Sequence, residues 1–285
     1  MSWIGGKKSL REIIIERFPV DYEKYIEVFG GGGWVLFHKQ PLNDFEVYND
    51  FNPNLVNLYR CVRDKPQELI DELTFVLNSR EDFDHIKQMQ KEKIEIPDVK
   101  RAANFYQLIR YSYASGCDSF GSQPHSMWNN FPLIFQASRR LQKVLIENRD
   151  FEKLIQHYDR PVSFFYCDPP YYATESYYDD VDFGRKDHQR LADCLCSING
   201  KFLLSYNDCP EIRELYSRNG IYIETTTRLN NLAQRYDGGS EYAELLISNY
   251  DTIERAQQNI QLTLFEDPIE YENILKERDV IWKTK

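Results

Sequence analysis

No two of the six cysteines are spaced Cys-x-x-Cys, and only five histidines are scattered through the 285 residues. That spacing offers no basis for a zinc site or a disulfide framework. Cys61, Cys117, Cys167, Cys194, Cys196 and Cys209 are expected as reduced thiols packed like small apolar residues. No apolar run is long enough to cross a bilayer. The N-terminus, Met1-Ser2-Trp3-Ile4-Gly5-Gly6-Lys7-Lys8, lacks the apolar core of a signal peptide. A cytoplasmic protein without a membrane segment is the expectation. The Gly-x-x-x-x-Gly-Lys-Ser/Thr loop is absent, which disfavours nucleoside triphosphate hydrolysis. Positive charge is also scarce. The formal charge is −10, which argues against a polyanionic partner unless the basic residues are gathered locally.

One segment does gather them. Residues 100–149 carry Lys100, Arg101, Arg110, Arg139, Arg140, Lys143 and Arg149 against Asp118 and Glu147. A basic stretch thus sits inside an acidic chain.

The apolar content, 42%, is enough for a packed core. Tyr25–Phe29 has strand character and ends at Gly30-Gly31-Gly32-Gly33; Trp34–His38 is expected to open a helix. Phe45–Asn49 is a second expected strand, and Asn52–Val62 has helical spacing. Strand, glycine turn, helix and strand form the first half of a doubly wound nucleotide-binding fold. Short helical stretches then replace strand signals until Phe164–Cys167 resumes the α/β rhythm. Helices are expected over Lys186–Ser197 and Pro210–Arg218, and strands over Lys201–Tyr206, Ile221–Thr226 and Tyr242–Ser248. The predicted architecture is α/β: a doubly wound, Rossmann-like sheet with a mostly helical insertion. Residues 1–62 and 150–250 make the sheet domain, 63–149 the insertion, and 251–285 an acidic tail.

Two features carry chemistry. Glycines after a strand let backbone approach a ligand closely. An acid about twenty residues further on, here Asp50, is placed for ribose hydroxyls, although an N-cap role is also open to it. Asp168-Pro169-Pro170-Tyr171 follows a strand, and its prolines make a rigid turn that frees the Pro169 carbonyl from regular pairing. A carboxylate and a carbonyl presented together accept both hydrogens of an –NH₂ group. Accepting them as the nitrogen pyramidalises localises its lone pair and stabilises developing positive charge. Tyr171 offers a face on which a base can stack.

In combination these motifs resemble the Dam-type (D12 class) DNA adenine-N6 methyltransferases over roughly residues 1–250. Trp3-Ile4-Gly5-Gly6-Lys7 is similar to their Trp-x-Gly-Gly-Lys element, Phe29–Gly33 to their Phe-x-Gly-x-Gly loop, and Tyr48–Asn52 to their Leu-Asn-Asp-x-Asn. Asn148–Phe151 resembles their Asp-Phe element, Asp168–Tyr171 their Asp-Pro-Pro-Tyr, and Glu244–Tyr250 their closing strand. Val28 stands where the family often has Pro, and Tyr48 where it has Leu. The Tyr111–Phe131 loop does not match enzymes that read GATC.

The resemblance implies S-adenosyl-L-methionine as cofactor, held by Trp3, Lys7, Phe29, Gly31, Gly33, Asp50, Asp150, Phe151 and Asp168. It implies catalysis by Asp168, Pro169, Pro170 and Tyr171 on an adenine flipped out of double-stranded DNA. The insertion, a target-recognition domain in this family, would supply DNA contacts from Lys100, Arg101, Arg110, Tyr111, Tyr113, Asn129, Arg139 and Arg140. A bacterial, phage or mobile-element origin and a restriction-modification setting fit such an enzyme. Cytosine N4, RNA, protein glutamine, or a non-catalytic DNA-binding role remain open on the motif alone. Cytosine C5 chemistry uses a Pro-Cys nucleophile, and the chain has no Pro-Cys dipeptide. Cys167 is expected to face the core, and His188 to play a surface or helix role. In the tail, Gln261, Leu262, Leu264 and Phe265 resemble the peptide that docks on the bacterial sliding clamp.

Overall fold

The computed structural model describes residues 7, 9–42, 45–121, 125–173, 183–229 and 241–255. Trp3 and the clamp-like Gln261–Phe265 lie outside the described residues.

The protein is mixed α/β, built on a seven-stranded sheet of order β3-β2-β1-β4-β5-β7-β6. The strands are β1 (Lys24–Glu27), β2 (Phe45–Asn49), β3 (Val144–Glu147), β4 (Ser163–Cys167), β5 (Lys201–Asn207), β6 (Tyr222–Leu229) and β7 (Glu241–Ser248). The first five pair in parallel, while β7 runs antiparallel to both β5 and β6. Strand β3 falls within 63–149 yet extends the sheet beside β2.

Strand residues alternate between two apolar layers, as a pleat requires. Tyr25, Tyr48, Phe164, Tyr166, Leu203 and Leu246 face one layer, with helices α1 (Arg11–Glu16), α2 (Pro53–Asp64), α3 (Pro66–Thr74), α4 (Arg80–Lys91), α5 (Asp98–Tyr111) and α6 (Phe131–Leu141). Ile26, Val47, Phe165, Cys167, Leu204 and Ile247 face the other, with α7 (Phe151–Tyr158), α8 (Arg185–Leu195) and α9 (Pro210–Leu215). The central strands are apolar on both faces because both are covered.

The expected helix at Trp34–His38 is not assigned; the segment forms turns closed by Phe37 N–H to the Gly33 carbonyl and Lys39 N–H to the Val35 carbonyl, 2.9 Å each. Gly33 enters it at φ +65° and Pro41 follows shortly after. Too few residues lie between them for a stable helix. Helix α2 begins as its sequence dictates. The Asn52 side chain accepts from Asn54 N–H (2.9 Å) and Leu55 N–H (3.1 Å), with Pro53 in the first turn. The N-cap is therefore Asn52, which leaves Asp50 for other work. Among the described residues no helix is long and apolar enough to cross a membrane.

All six cysteines are free thiols. Cys167 is buried in the second layer, and burial pushes its thiol well above the ordinary range. It is a core residue, as expected. His188 is also buried. Its ring bonds to the Tyr206 hydroxyl and packs against Tyr172, Phe183 and Tyr206. The surface alternative for His188 is thereby corrected: it ties α8 to β5 inside an aromatic cluster.

Candidate active site

The site lies where the parallel strands end, the usual place for ligands in such sheets. Beyond β1 the chain enters the glycine turn. Gly30 N–H bonds to the Asn49 carbonyl at 2.7 Å, and Gly33 N–H to the Gly30 carbonyl at 2.8 Å. Gly31 and Gly33 hold φ of +49° and +65°, in the left-handed region where glycine is favoured. Gly30 is required for another reason: a Cβ there would lie 2.1 Å from the Tyr48 ring. The Tyr48 hydroxyl in turn donates to the Gly31 carbonyl at 2.7 Å. Tyr48, a departure from the family pattern, thus props the turn from below. Val28, the other departure, donates its N–H to the Tyr166 carbonyl at 2.9 Å. Proline there could not make that bond.

Asp50 closes the turn. Its carboxylate accepts from Gly31 N–H and Asn52 N–H, both at 2.8 Å. Burial raises its carboxyl above the ordinary range, and these amides oppose the shift. Each oxygen keeps a further acceptor direction for a hydroxyl. Asn148 ties the neighbouring strand end in place through the Asp50 and Phe51 carbonyls, at 2.8 and 3.0 Å. Asp150 N-caps α7, accepting from Glu152 N–H (3.2 Å) and Lys153 N–H (3.3 Å), and pairs with Arg190. This cap orients Phe151 toward Phe29, with ring centroids 5.7 Å apart. Phe183, which sequence reasoning missed, lies 5.8 Å from both rings and completes an aromatic group.

Beyond β4 stands Asp168, followed by the buried Pro169 and Pro170. Lys7, only 2% exposed, reaches it at 2.6 Å. The same ammonium lies 3.1 Å from the Glu244 carboxylate, donates to the Tyr171 hydroxyl, and sits 4.4 Å from the Tyr171 ring centroid. Tyr171 donates to Glu244, and the Ser205 hydroxyl donates to Asp168 at 3.3 Å. Burial alone would lower the Lys7 value; Asp168 and Glu244 prevail and hold it well above the ordinary range. Lys7 therefore stays charged. Sequence reasoning quoted Glu244 only as part of a closing strand. An acid heading the apolar run Leu245-Leu246-Ile247 was the available signal.

Glu27, at the end of β1, was also missed. It is buried and accepts from the Tyr25 hydroxyl at 2.6 Å. Burial pushes its carboxyl up to about 8 from an ordinary 4.5. The folded protein then binds an extra proton between those values, so stability declines as pH rises through that window. Glu27→Gln is expected to remove this decline and to raise the melting temperature by a few degrees at about pH 8. Thermal melts of both proteins from about pH 5 to about pH 9 would sink the assignment if the curves ran parallel.

The basic segment behaves differently from its sequence. Arg140 turns inward from α6 to the Glu46 carboxylate (2.5 and 2.9 Å) and the Leu36 carbonyl (3.0 Å). Lys39 pairs with the same Glu46, which is buried. Tyr111 is only 3% exposed and packs in the core. Neither is available to DNA, because Arg140 compensates a buried acid and the Tyr111 ring is enclosed. Lys100 pairs with Glu72 at 3.0 Å, in a groove also lined by Glu68, Asp71 and Asp82; phosphate would be repelled there. Arg101 pairs with Asp98 at 3.0 Å, and Arg110 contacts the His125 ring at 2.7 Å. Tyr113, Asn129 and Arg139 are exposed, as is Trp128 at 61%. Trp128 and Asn129 lie in the short turn Met127–Asn130 that leads into α6, while Arg139 lies beside Arg140 in the last turn of that helix.

Comparison with known proteins agrees with this geometry. A family model for D12 class N6 adenine-specific DNA methyltransferases matches residues 3–230. The type II methyltransferase M1.LlaDCHI of Lactococcus lactis subsp. cremoris is 30% identical over 87% of this chain and 94% of its own length. The type II methyltransferase M.CviBI of Paramecium bursaria Chlorella virus NC1A is 26% identical over 88% and 98%. The DNA adenine methylase of Haemophilus influenzae is 27% identical over 76% and 82%. With the glycine turn, Asp50 and the Asp168–Tyr171 turn gathered at the carboxyl ends of the adjacent strands β1, β2 and β4, the chain belongs to the D12 class N6 adenine-specific DNA methyltransferase family.

Proposed function

We propose that this DNA adenine methyltransferase carries a methyl group from S-adenosyl-L-methionine to N6 of an adenine flipped out of duplex DNA at a specific sequence. The observation that carries the reading is Asp168, held by Lys7 at 2.6 Å, on the strand next to the one that leads into the glycine turn.

The residues suit the donor chemically. Asp50 offers a carboxylate for ribose hydroxyls, and Phe29, Phe151 and Phe183 offer rings for an adenine. Asp168 and Glu244 together face a single Lys7 ammonium, an anionic balance that suits a sulfonium. The bound donor supplies an activated methyl group on that sulfonium. The protein's part is to hold the acceptor. Asp168 and the Pro169 carbonyl accept the two amine hydrogens, which localises the nitrogen lone pair and aims it. Charge developing on nitrogen is stabilised by the Asp168 carboxylate. The extruded base rests against Tyr171. A doubly wound methyltransferase domain with a helical recognition insertion fits this arrangement; Tyr113, Trp128, Asn129 and Arg139 present the insertion's exposed aromatic, polar and basic groups toward DNA.

The test is product analysis. Purified protein, duplex DNA and methyl-labelled S-adenosyl-L-methionine are incubated, and the nucleosides are separated. Label in N6-methyladenine is expected, confined to one sequence context on long-read sequencing. Label in any other base, or none, would refute the reading.

A further inference from the structure

Glu244 is an acid at this site to which no motif assigns a role. It is 1% exposed on β7, immediately before three core residues. Strand β7 runs antiparallel to β5, and its register sets Glu244 opposite Asn207, at the carboxyl end of β5. An unpaired carboxylate at such a depth is costly, so its partners matter. Among them are the Lys7 ammonium at 3.1 Å and the Tyr171 hydroxyl. Lys7 also reaches Asp168 at 2.6 Å and donates to Tyr171. Four side chains from the N-terminal segment, the β4 turn and β7 thus close one network.

We infer that Glu244 is a positioning residue for methyl transfer: it draws the Lys7 ammonium and the Tyr171 hydroxyl toward β7, so that Asp168 keeps acceptor capacity for the amine. The inference rests on the assignment of Asp168 and Tyr171 to the target base. An ammonium has three donors. With Asp168 as sole carboxylate partner, Lys7 would close a neutral pair on the group that must receive the substrate. A second carboxylate divides those donors and leaves the centre with one negative charge in excess. That excess favours a transition state in which positive charge develops on the amine nitrogen. Glu244 also fixes the far end of the Tyr171 ring, and with it the plane against which a base rests.

The experiment compares Glu244→Gln, Glu244→Asp, Tyr171→Phe and the double variant Tyr171→Phe/Glu244→Gln, in the full chain, by single-turnover methylation of a duplex oligonucleotide containing the recognition sequence. Glu244→Gln keeps the shape and loses the charge. Its rate is expected to fall about 10- to 100-fold, with KM for DNA changed less than about threefold. The double variant is expected to lose no more than Glu244→Gln alone, because the hydroxyl acts through the carboxylate. A rate within about twofold of wild type overturns the inference. So does a double variant whose losses multiply, since the carboxylate and the Tyr171 hydroxyl would then act independently rather than as one network. Should Glu244→Gln fail to fold, Glu244→Asp carries the test. One methylene less withdraws the carboxylate from Tyr171, so slowed transfer in a folded protein supports the inference and full activity overturns it. Failure of the underlying assignment is separable, because it would appear as undiminished activity in Asp168→Ala.

Discussion

Asp168→Ala is expected to lower the rate of methyl transfer by at least about 10²- to 10³-fold while leaving the fold and duplex binding in place. The loss is large because the carboxylate acts only as the reaction proceeds. A neutral exocyclic amine gains little from it in the ground state; the cationic, pyramidal nitrogen gains a great deal. Binding is expected to survive because Asp168 is a single carboxylate in the strand-end site, and duplex affinity comes chiefly from contacts to the phosphate backbone. The fold survives because Lys7 keeps Glu244 at 3.1 Å and the Tyr171 hydroxyl, so the ammonium is not stranded. Single-turnover methylation, a gel shift on the same duplex and a thermal melt together read the three properties. Transfer at the wild-type rate would remove Asp168 from the mechanism; lost binding with lost transfer would reassign it to DNA recognition.

The second large effect is on stability and concerns Glu46. Replacing it by Ala is expected to cost about 3–5 kcal/mol, a fall in melting temperature on the order of 10 °C. Lys39 and Arg140 both point at this buried carboxylate, and removing it leaves two cations facing each other. Burial would raise the Glu46 value, but Arg140 and Lys39 prevail and hold it below the ordinary carboxyl range. A depressed acid contributes stability above its unfolded value and loses it as pH falls through the folded one. The wild-type advantage over Glu46→Ala should therefore shrink in acid. Arg140→Ala supplies the control on function. It should also lower the melting temperature, yet leave the slope of log affinity for DNA against log salt unchanged. A phosphate contact would instead reduce that slope by about one, and such a reduction would return Arg140 to the DNA interface.

The case of Arg140 shows where the linear chain misleads. Counting charges along 100–149 finds a basic segment, but a count cannot show which cations face acids from elsewhere. Glu46 lies 94 residues from Arg140 in the chain, and Glu72 lies 28 from Lys100. Tyr111 makes the same point for aromatics: its ring is enclosed in the core, while that of Tyr113, two residues on, is exposed. The turn at Trp34–His38 failed for a local reason, since its apolar run outweighed the glycine before it and the proline after it. Tyr48 was legible as a departure but not as a prop, because the space that makes Gly30 necessary is filled from a neighbouring strand.

The comparisons decide for adenine over the cytosine, RNA and protein alternatives that an Asp-Pro-Pro-Tyr turn leaves open. The motif specifies how an amine is held, and the identity of the ring bearing it is read elsewhere.

By itself the sequence determined every strand of the sheet but β3, the helices α2, α8 and α9, the α/β order, the glycine turn, and the placing of Asp50 and Asp168 at strand ends. These follow from local causes: alternation within strands, caps such as Asn52, and prolines that forbid continuation. Only the tertiary structure decided that β7 runs against its neighbours and brings Glu244 to Lys7, that Phe183 joins Phe29 and Phe151, and that Arg140 turns inward. Strand direction and ion pairing are set by which surfaces meet across the sheet. That depends on the packing of the whole chain, and no window of residues contains it.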